Sequence, residues 1–242
     1  SAIKPISDAA VQAEDGAKKL REAKEAALNT AKRYTHVSDK IKTTATNAIN
    51  LATSKAEVDK VIDNLKIDEA KANAVSEING LKFLSDKQSF TEKVNAAGSI
   101  DAVALIVSDA KTRDALIGLQ NGASAKVKAL TYISADQKED FVAKIKGTTT
   151  ASAIKPISDA AVQAEDGAKK LREAKEAALN TAKRYTHVSD KIKTTATNAI
   201  NLATSKAEVD KVIDNLKIDE AKANAVSEIN GLKFLSDKQS FT

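Results

Sequence analysis

His36, Ser38 and Asp39 stand within four residues of one another, and an imidazole, a hydroxyl and a carboxylate are the parts of a nucleophilic triad. The same three types return as His187, Ser189 and Asp190. Closeness in sequence does not supply the geometry that triad chemistry requires, in which base and nucleophile face each other across a fold. Ser38 has a simpler use, because it stands immediately before an apolar-periodic run and suits the cap of a helix. The two histidines are the only ones in the chain. Each falls near a helix end, where a partly charged imidazole complements the C-terminal dipole. A zinc site would need further ligands close by, and there is no cysteine to provide them.

Acidic groups offer a second chemistry. Asp136, Glu139 and Asp140, or Asp59 and Asp63, could be imagined around calcium, but no Gly-centred loop with alternating oxygen ligands accompanies them. Acids in a first helical turn already suit the helix N-terminus. Gly-rich phosphate loops are absent. Phe83, Phe90, Tyr132, Phe141 and Tyr34 read as plugs at the junctions between helices. No residue is therefore assigned as catalytic, cofactor-binding or metal-ligating, and no cofactor is expected.

The elements that must carry these residues follow from a repeat. Every residue from Ser1 to Thr91 reappears 151 positions later, ending at Thr242. Within one period a local plan recurs at RYTHVSDKI, LKFLSDKQSF and LTYISADQKEDF, where an apolar or aromatic pair precedes a serine and then charged residues. The serines are Ser38, Ser85, Ser134 and, in the second copy, Ser189, spaced 47, 49 and 55 residues apart. One period is thus three modules of about fifty residues. Ser85 with Gln88 and Ser134 with Gln137 have the spacing of a capping box, and Ser54 with Glu57 repeats it.

Each turn serine opens a short helix, which ends at NLATS, NAAGS or KGTTTAS. A longer helical pattern follows. From Lys55 to Leu84 the apolar residues Val58, Val61, Ile62 and Leu65 form one stripe, and Ala74, Val75, Ile78 and Leu81 form another after the polar KIDEAK. The segment from Ile100 to Ile133 behaves likewise, with a weak point at Gly118 and Gly122 where a bend would be cheapest. The next long helix starts near Ser152, and Pro156 is tolerated in its first turn. The expected fold is all-α: tandem three-helix bundles, each made from the end of one long helix, a short helix and the start of the next. Stacked in this way, modules sharing long connecting helices form an elongated, monomeric rod.

Composition agrees with this plan and excludes several functions. The chain of 242 residues has 8 Gly, 2 Pro, no Cys, no Met and no Trp, with 3% aromatic residues, so small Ala-rich cores replace one thick core. Its net charge of +5 comes from 38 basic and 33 acidic side chains, interspersed. With few Arg, no long basic run and hardly any stacking platform, nucleic acid is not an expected partner. No apolar run approaches the ~20 residues of a membrane span, so no membrane insertion is expected. The missing initiator Met and a repeat that stops at Thr242 point to an excised piece of a longer chain.

The stretch ISADQKEDFVAKIKGTTTASAIKPI resembles the GA modules of giant Gram-positive surface proteins, through Ile133, Ser134, Gln137, Lys138, Phe141 and Ile145. LSDKQSFTEKVNAAGSIDAVALIVSDA is similar, with Phe90 and Val94. RYTHVSDKI, with Tyr34, Thr35 and Ser38, resembles the FIVAR module that alternates with GA modules in extracellular matrix-binding proteins of the Ebh and Embp kind. The resemblance divides the chain into a FIVAR-like module at 1–68, GA-like modules at 69–118 and 119–170, a second FIVAR-like module at 171–219 and the start of another GA-like module at 220–242. It implies an extracellular protein on a bacterial cell surface or cell wall and no enzymatic activity. The repeats would then be a structural stalk, or a multivalent binder of a host matrix or serum protein such as fibronectin, fibrinogen or albumin. An exposed apolar or aromatic patch recurring every period would favour the binder.

Overall fold

The computed structural model describes residues 3–232, and among them the regular structure is entirely helical. The helices are α1 (Ile3–Arg33), α2 (Asp39–Leu51), α3 (Lys55–Gly80), α4 (Lys87–Ala96), α5 (Ile100–Lys128), α6 (Ala135–Lys146), α7 (Ile154–Arg184), α8 (Asp190–Leu202) and α9 (Lys206–Gly231). A single 3-10 turn, Ala151–Ala153, leads into α7. Long and short helices alternate, as the two stripe lengths in the sequence require. The chain divides into two compact units, Ser1–Leu119 and Gln120–Thr242. Their boundary falls inside α5, which stays α-helical through Gly118 and Gly122.

In the first unit, the second half of α1, α2 and the first half of α3 form one bundle. Its core contains Ala27, Ile49, Ala52 and Val58, continued by Ala31, Val37, Ala45 and Leu65. The alanines let the helices approach closely, and Ile49, with no exposed surface, fills the centre. The second half of α3, α4 and the first half of α5 form the next bundle around Ala74, Ile78, Leu84, Phe90, Val94, Val103 and Ala110. The polar KIDEAK stretch separates the two stripes of α3, so one helix serves two cores. Each core is small, and each bundle gains from the helix it shares with its neighbour.

The second unit repeats the pattern. Val127, Ile133, Val142, Ile145, Ile154 and Ala161 are buried apolar residues of its first bundle, contributed by α5, the following turn, α6 and α7. Ala178, Ile200, Ala203 and Val209, with Ala182, Val188, Ala196 and Leu216, rebuild the α1–α2–α3 core from α7, α8 and α9.

Five helix starts follow the serine capping chemistry, whereas α4 and α7 begin without a side-chain cap bond. Ser38, Ser54, Ser134, Ser189 and Ser205 each accept a bond from the amide three residues on, and Ser134 with Gln137 forms the complete reciprocal box. Ser85 and Gln88 do not form one. α4 starts a residue later, with Asp86 in the capping position, where Arg113 of α5 reaches its carboxylate at 3.1 Å, and the Gln88 amide donates to Glu92 instead. Glu57 reaches past Ser54 to the Thr53 amide, 2.7 Å away.

Candidate functional site

The histidines, serines and acids of the sequence are brought together differently from a triad. His36 Nδ1 lies 2.8 Å from Glu69 Oε1 on α3, while Ser38 Oγ faces the amide of Ile41 at the start of α2. Asp39 occupies the first turn of α2. The second copy repeats this, with His187 Nδ1 2.9 Å from Glu220. Of the acids, Asp59 pairs with Lys55, Asp63 with Lys66 and Asp140 with Lys144, all along their own helices, and Asp136 stands in the first turn of α6. Among the described residues no group of three or more His, Asp or Glu is gathered as a metal site would need.

What the structure does assemble is a carboxylate clamp. Glu69 accepts the backbone amides of Thr35 at 2.9 Å, His36 at 3.0 Å and Val37 at 2.8 Å. These amides belong to the turn between α1 and α2 and have no helical partner of their own. Glu165 on α7 does the same for Thr131, Tyr132 and Ile133, and Glu220 on α9 for Thr186, His187 and Val188. In the α3–α4 turn the amides of Phe83 and Leu84 donate to Asp114 of α5. Every bundle thus pins the turn after its first helix with an acid from its third.

Partial burial would by itself raise these carboxyls. For Glu69 the His36 side chain and the amides of Thr35, Val37 and His36 outweigh that and hold the group at about 2. Glu165, bonded by the Thr131, Ile133 and Tyr132 amides and the Thr131 hydroxyl, lies at about 2 as well, as does Glu220.

A second clamp closes the other end of each short helix. Lys24 Nζ donates to the carbonyl of Asn50, Lys71 to that of Asn95 and Lys175 to that of Asn201, each at 2.8 Å. In the α5–α6 bundle the same place is taken by Gln120, nearly buried, whose amide donates to the carbonyls of Lys146 and Thr148. These donors neutralise carbonyls that a helix C-terminus leaves free.

The clamp also corrects the reading of the aromatics as plugs. Phe90 is one, at 1% exposure, but Phe83 and Tyr132 are 38% and 39% exposed. Where the turn's amides face the carboxylate, the residue before the turn serine points inward and the one before that points out. Val37, Leu84, Ile133 and Val188 are therefore the buried plugs. Phe83 and Tyr132 lie outside with Lys82 and Arg172 over their rings. Sequence reasoning missed the clamp acids, although an acid 31 residues after Ser38, Ser134 and Ser189 and 29 after Ser85 was a readable signal.

A shallow groove runs between α2 and α3, lined by Ile41, Thr44, Ala48, Val61, Asn64 and Asp68, with a volume of about 600 Å³. Its copy between α8 and α9 has about 630 Å³. Ile41 and Ile192 are partly exposed beside these grooves, and Leu51 and Leu202 are each 80% exposed at the ends of α2 and α8.

The GA-module family model matches residues 17–67, 64–115, 120–166, 168–218 and 215–240. The chain belongs to the GA-module family. The matches include the two segments whose RYTHVSDKI turn resembles FIVAR. The edges between neighbouring matches fall within α3, α5, α7 and α9, and neighbouring matches overlap in α3 and α9, as expected where one helix closes one module and opens the next. Five matches make this a repeat region of the surface-protein kind, and GA-module repeats are non-catalytic domains. Among solved structures, the 756–1003 domain of EbhA from Staphylococcus aureus is similar at 20% identity, over 84% of this chain and 99% of that chain, with a TM-score of 0.39. No curated protein matches the chain. No helix of the described residues is long and apolar enough to cross a membrane.

Proposed function

We propose that this region is a structural spacer of a bacterial cell-surface protein, a stalk segment attached through its parent to the cell wall. The observation that carries the reading is helix sharing. α3 buries Val58 and Leu65 in one core and Ala74 and Ile78 in the next, and α7 buries Ile154 and Ala161 in one and Ala178 and Ala182 in the next. Successive modules joined in this way have no flexible linker between them, which suits reach better than it suits independent domains. The division at 68/69, 118/119, 170/171 and 219/220 is the frame we propose for the modules.

Scattering in solution tests the spacer. If each module advances the chain by ~25 Å, the maximum dimension should be on the order of 100 Å. A radius of gyration near ~18 Å, that of a compact chain of this length, would refute it.

A second reading is favoured by the paired α2/α3 and α8/α9 grooves with their partly exposed Ile41 and Ile192, and by the exposed Leu51 and Leu202 at the ends of α2 and α8, apolar features that return with each period. On this reading the modules bind a host matrix or serum protein. Serum albumin is a ligand of some GA modules, and weak single sites would gain from repetition through effective concentration. Binding to immobilised fibronectin, fibrinogen and albumin, with one-period and two-period chains compared, separates the readings. Saturable binding that tightens with repeat number makes the region a multivalent binder, and silence across the panel leaves the spacer.

A further inference from the structure

The chain contains the pairs Asn79–Gly80, Asn121–Gly122 and Asn230–Gly231, the last being the copy of the first. An asparagine followed by glycine carries its own reaction, because the glycine nitrogen, with no side chain beside it, can approach the asparagine carboxamide carbon. The fold does not require the glycine at 80 or 122. Among the described residues no glycine has a positive φ, and a Cβ at either position would meet nothing within 4 Å. Ring closure needs the glycine amide to leave its helical carbonyl and the asparagine to leave helical ψ. Asn79 and Gly80 are the exposed last two residues of α3, where little has to open. Asn121 and Gly122 are exposed too but lie inside α5. Beside them Gln120 holds the carbonyls of Lys146 and Thr148, and Ser124 and Val127 are 5% and 2% exposed. Opening there gives those contacts up.

A second feature singles out Asn79. Lys87, the first residue of α4, donates from Nζ to the Asn79 carbonyl oxygen at 2.8 Å. That carbonyl belongs to the peptide whose nitrogen is the nucleophile. When hydroxide takes the Gly80 amide proton, negative charge spreads onto the same oxygen, where an ammonium is already placed. We propose that Asn79–Gly80, assisted by Lys87, is a self-modifying site at the α3–α4 join. The Gly80 nitrogen bonds to Asn79 Cγ, the bond from Cγ to the side-chain nitrogen breaks, and ammonia leaves with a proton from solvent. Water then opens the succinimide at either carbonyl to give aspartate or isoaspartate. The product carries a new carboxylate beside Lys87, and in the isoaspartyl form an extra methylene in the main chain just before the turn that Asp114 holds through the Phe83 and Leu84 amides. The chemistry is the same whether the array is a spacer or a binder.

The test incubates the full chain carrying Gly231→Ala, so that tryptic peptide 72–82 differs in mass from its copy, at neutral pH and physiological temperature. Mass spectrometry follows the mass gain at Asn79 in this peptide and at Asn121 in peptide 114–126. Each rate is divided by that of the same site in urea-unfolded chain. Asn79 should convert at a substantial fraction of its unfolded rate while Asn121 stays nearly unmodified. Gly80→Ala should abolish conversion at Asn79, and Lys87→Ala should slow it severalfold in the folded chain but not in urea. Far-ultraviolet circular dichroism confirms that each variant is folded. Equal relative rates at the two sites, a folded chain in which Asn79 is as protected as Asn121, or a Lys87→Ala chain that converts as fast as its parent or faster would overturn the proposal.

Discussion

Replacing Glu69 and Glu220 together by Gln isolates the clamp, because the two copies are identical in sequence and must be changed as a pair to give a clean readout. The substitution keeps the size of the side chain and removes the charge that three amides and an imidazole address. A hydrogen bond to a charged acceptor contributes about 1.5–3 kcal/mol when well shielded. The Glu69 side chain is 16% exposed, but the turn it holds is open to water, so its freed amides find solvent partners. Screening brings the whole clamp to about 2 kcal/mol, or roughly a thirtyfold change in the opening equilibrium of the turn. Amide exchange at Thr35–Val37 should quicken by about that factor. Exchange at Thr131–Ile133, held by the untouched Glu165, should not change. The pH dependence has a definite sign. Glu69 titrates at about 2 in the fold against an ordinary 4.5, so its contribution is complete above about pH 5 and fades as the pH falls through 2. Urea midpoints of parent and variant should therefore differ most at neutral pH and converge towards pH 2. A gap that stays constant down to pH 2, or turn amides that exchange at the parent rate, would refute the reasoning.

Three further outcomes are expected. Gly122→Ala should raise the melting temperature, since nothing lies within 4 Å of the added carbon and helix propensity favours Ala by about 1 kcal/mol; Gly118→Ala should gain less or lose, because its Cβ would stand 2.8 Å from Phe83 Cε2, and Phe83→Ala should restore the gain. Ile49→Ala, at a site with no exposure, should cost about 3 kcal/mol in chemical denaturation, while Leu51→Ala two residues on, at 80% exposure, should stay within about 0.5 kcal/mol of the parent. Ser134→Ala should cost about 1 kcal/mol by losing the amide bond of the complete capping box, whereas Ser85→Ala, which caps nothing, should be close to neutral.

The helices were legible because their signals are local. Val58, Val61, Ile62 and Leu65 announce a buried stripe without reference to any other segment, and Ser134 with Gln137 announces a start within four residues. What could not be read locally went wrong or went unseen. Ser85 and Gln88 have the right spacing, yet Arg113 engages Asp86, twenty-seven residues before it, and the helix begins there. Phe83 and Tyr132 looked like plugs because size was the only criterion the sequence offered. Their outward direction is set by amides that face Asp114 and Glu165, thirty or more residues on. The clamps join a turn to a helix that does not touch it in sequence, so periodicity within either element says nothing about them.

The placement of the clamps explains how one long helix serves two bundles without confusing them. On α3, Glu69 turns back to the α1–α2 turn and Lys71, two residues later, turns forward to the end of α4. An acid closes the bundle behind and a base closes the bundle ahead, and both lie in or beside the polar KIDEAK stretch between the two apolar stripes. The stretch that looks like an interruption in the hydrophobic pattern is therefore where neighbouring modules are fastened. α7 separates the same two functions further, with Glu165 and Lys175 ten residues apart. A helix that carries both fasteners cannot fray at its middle without loosening a turn on one side and a helix end on the other. Loss of either core thus reaches its neighbour through the polar middle of the helix as well as through shared apolar contacts, which is the coupling a linker-free array requires.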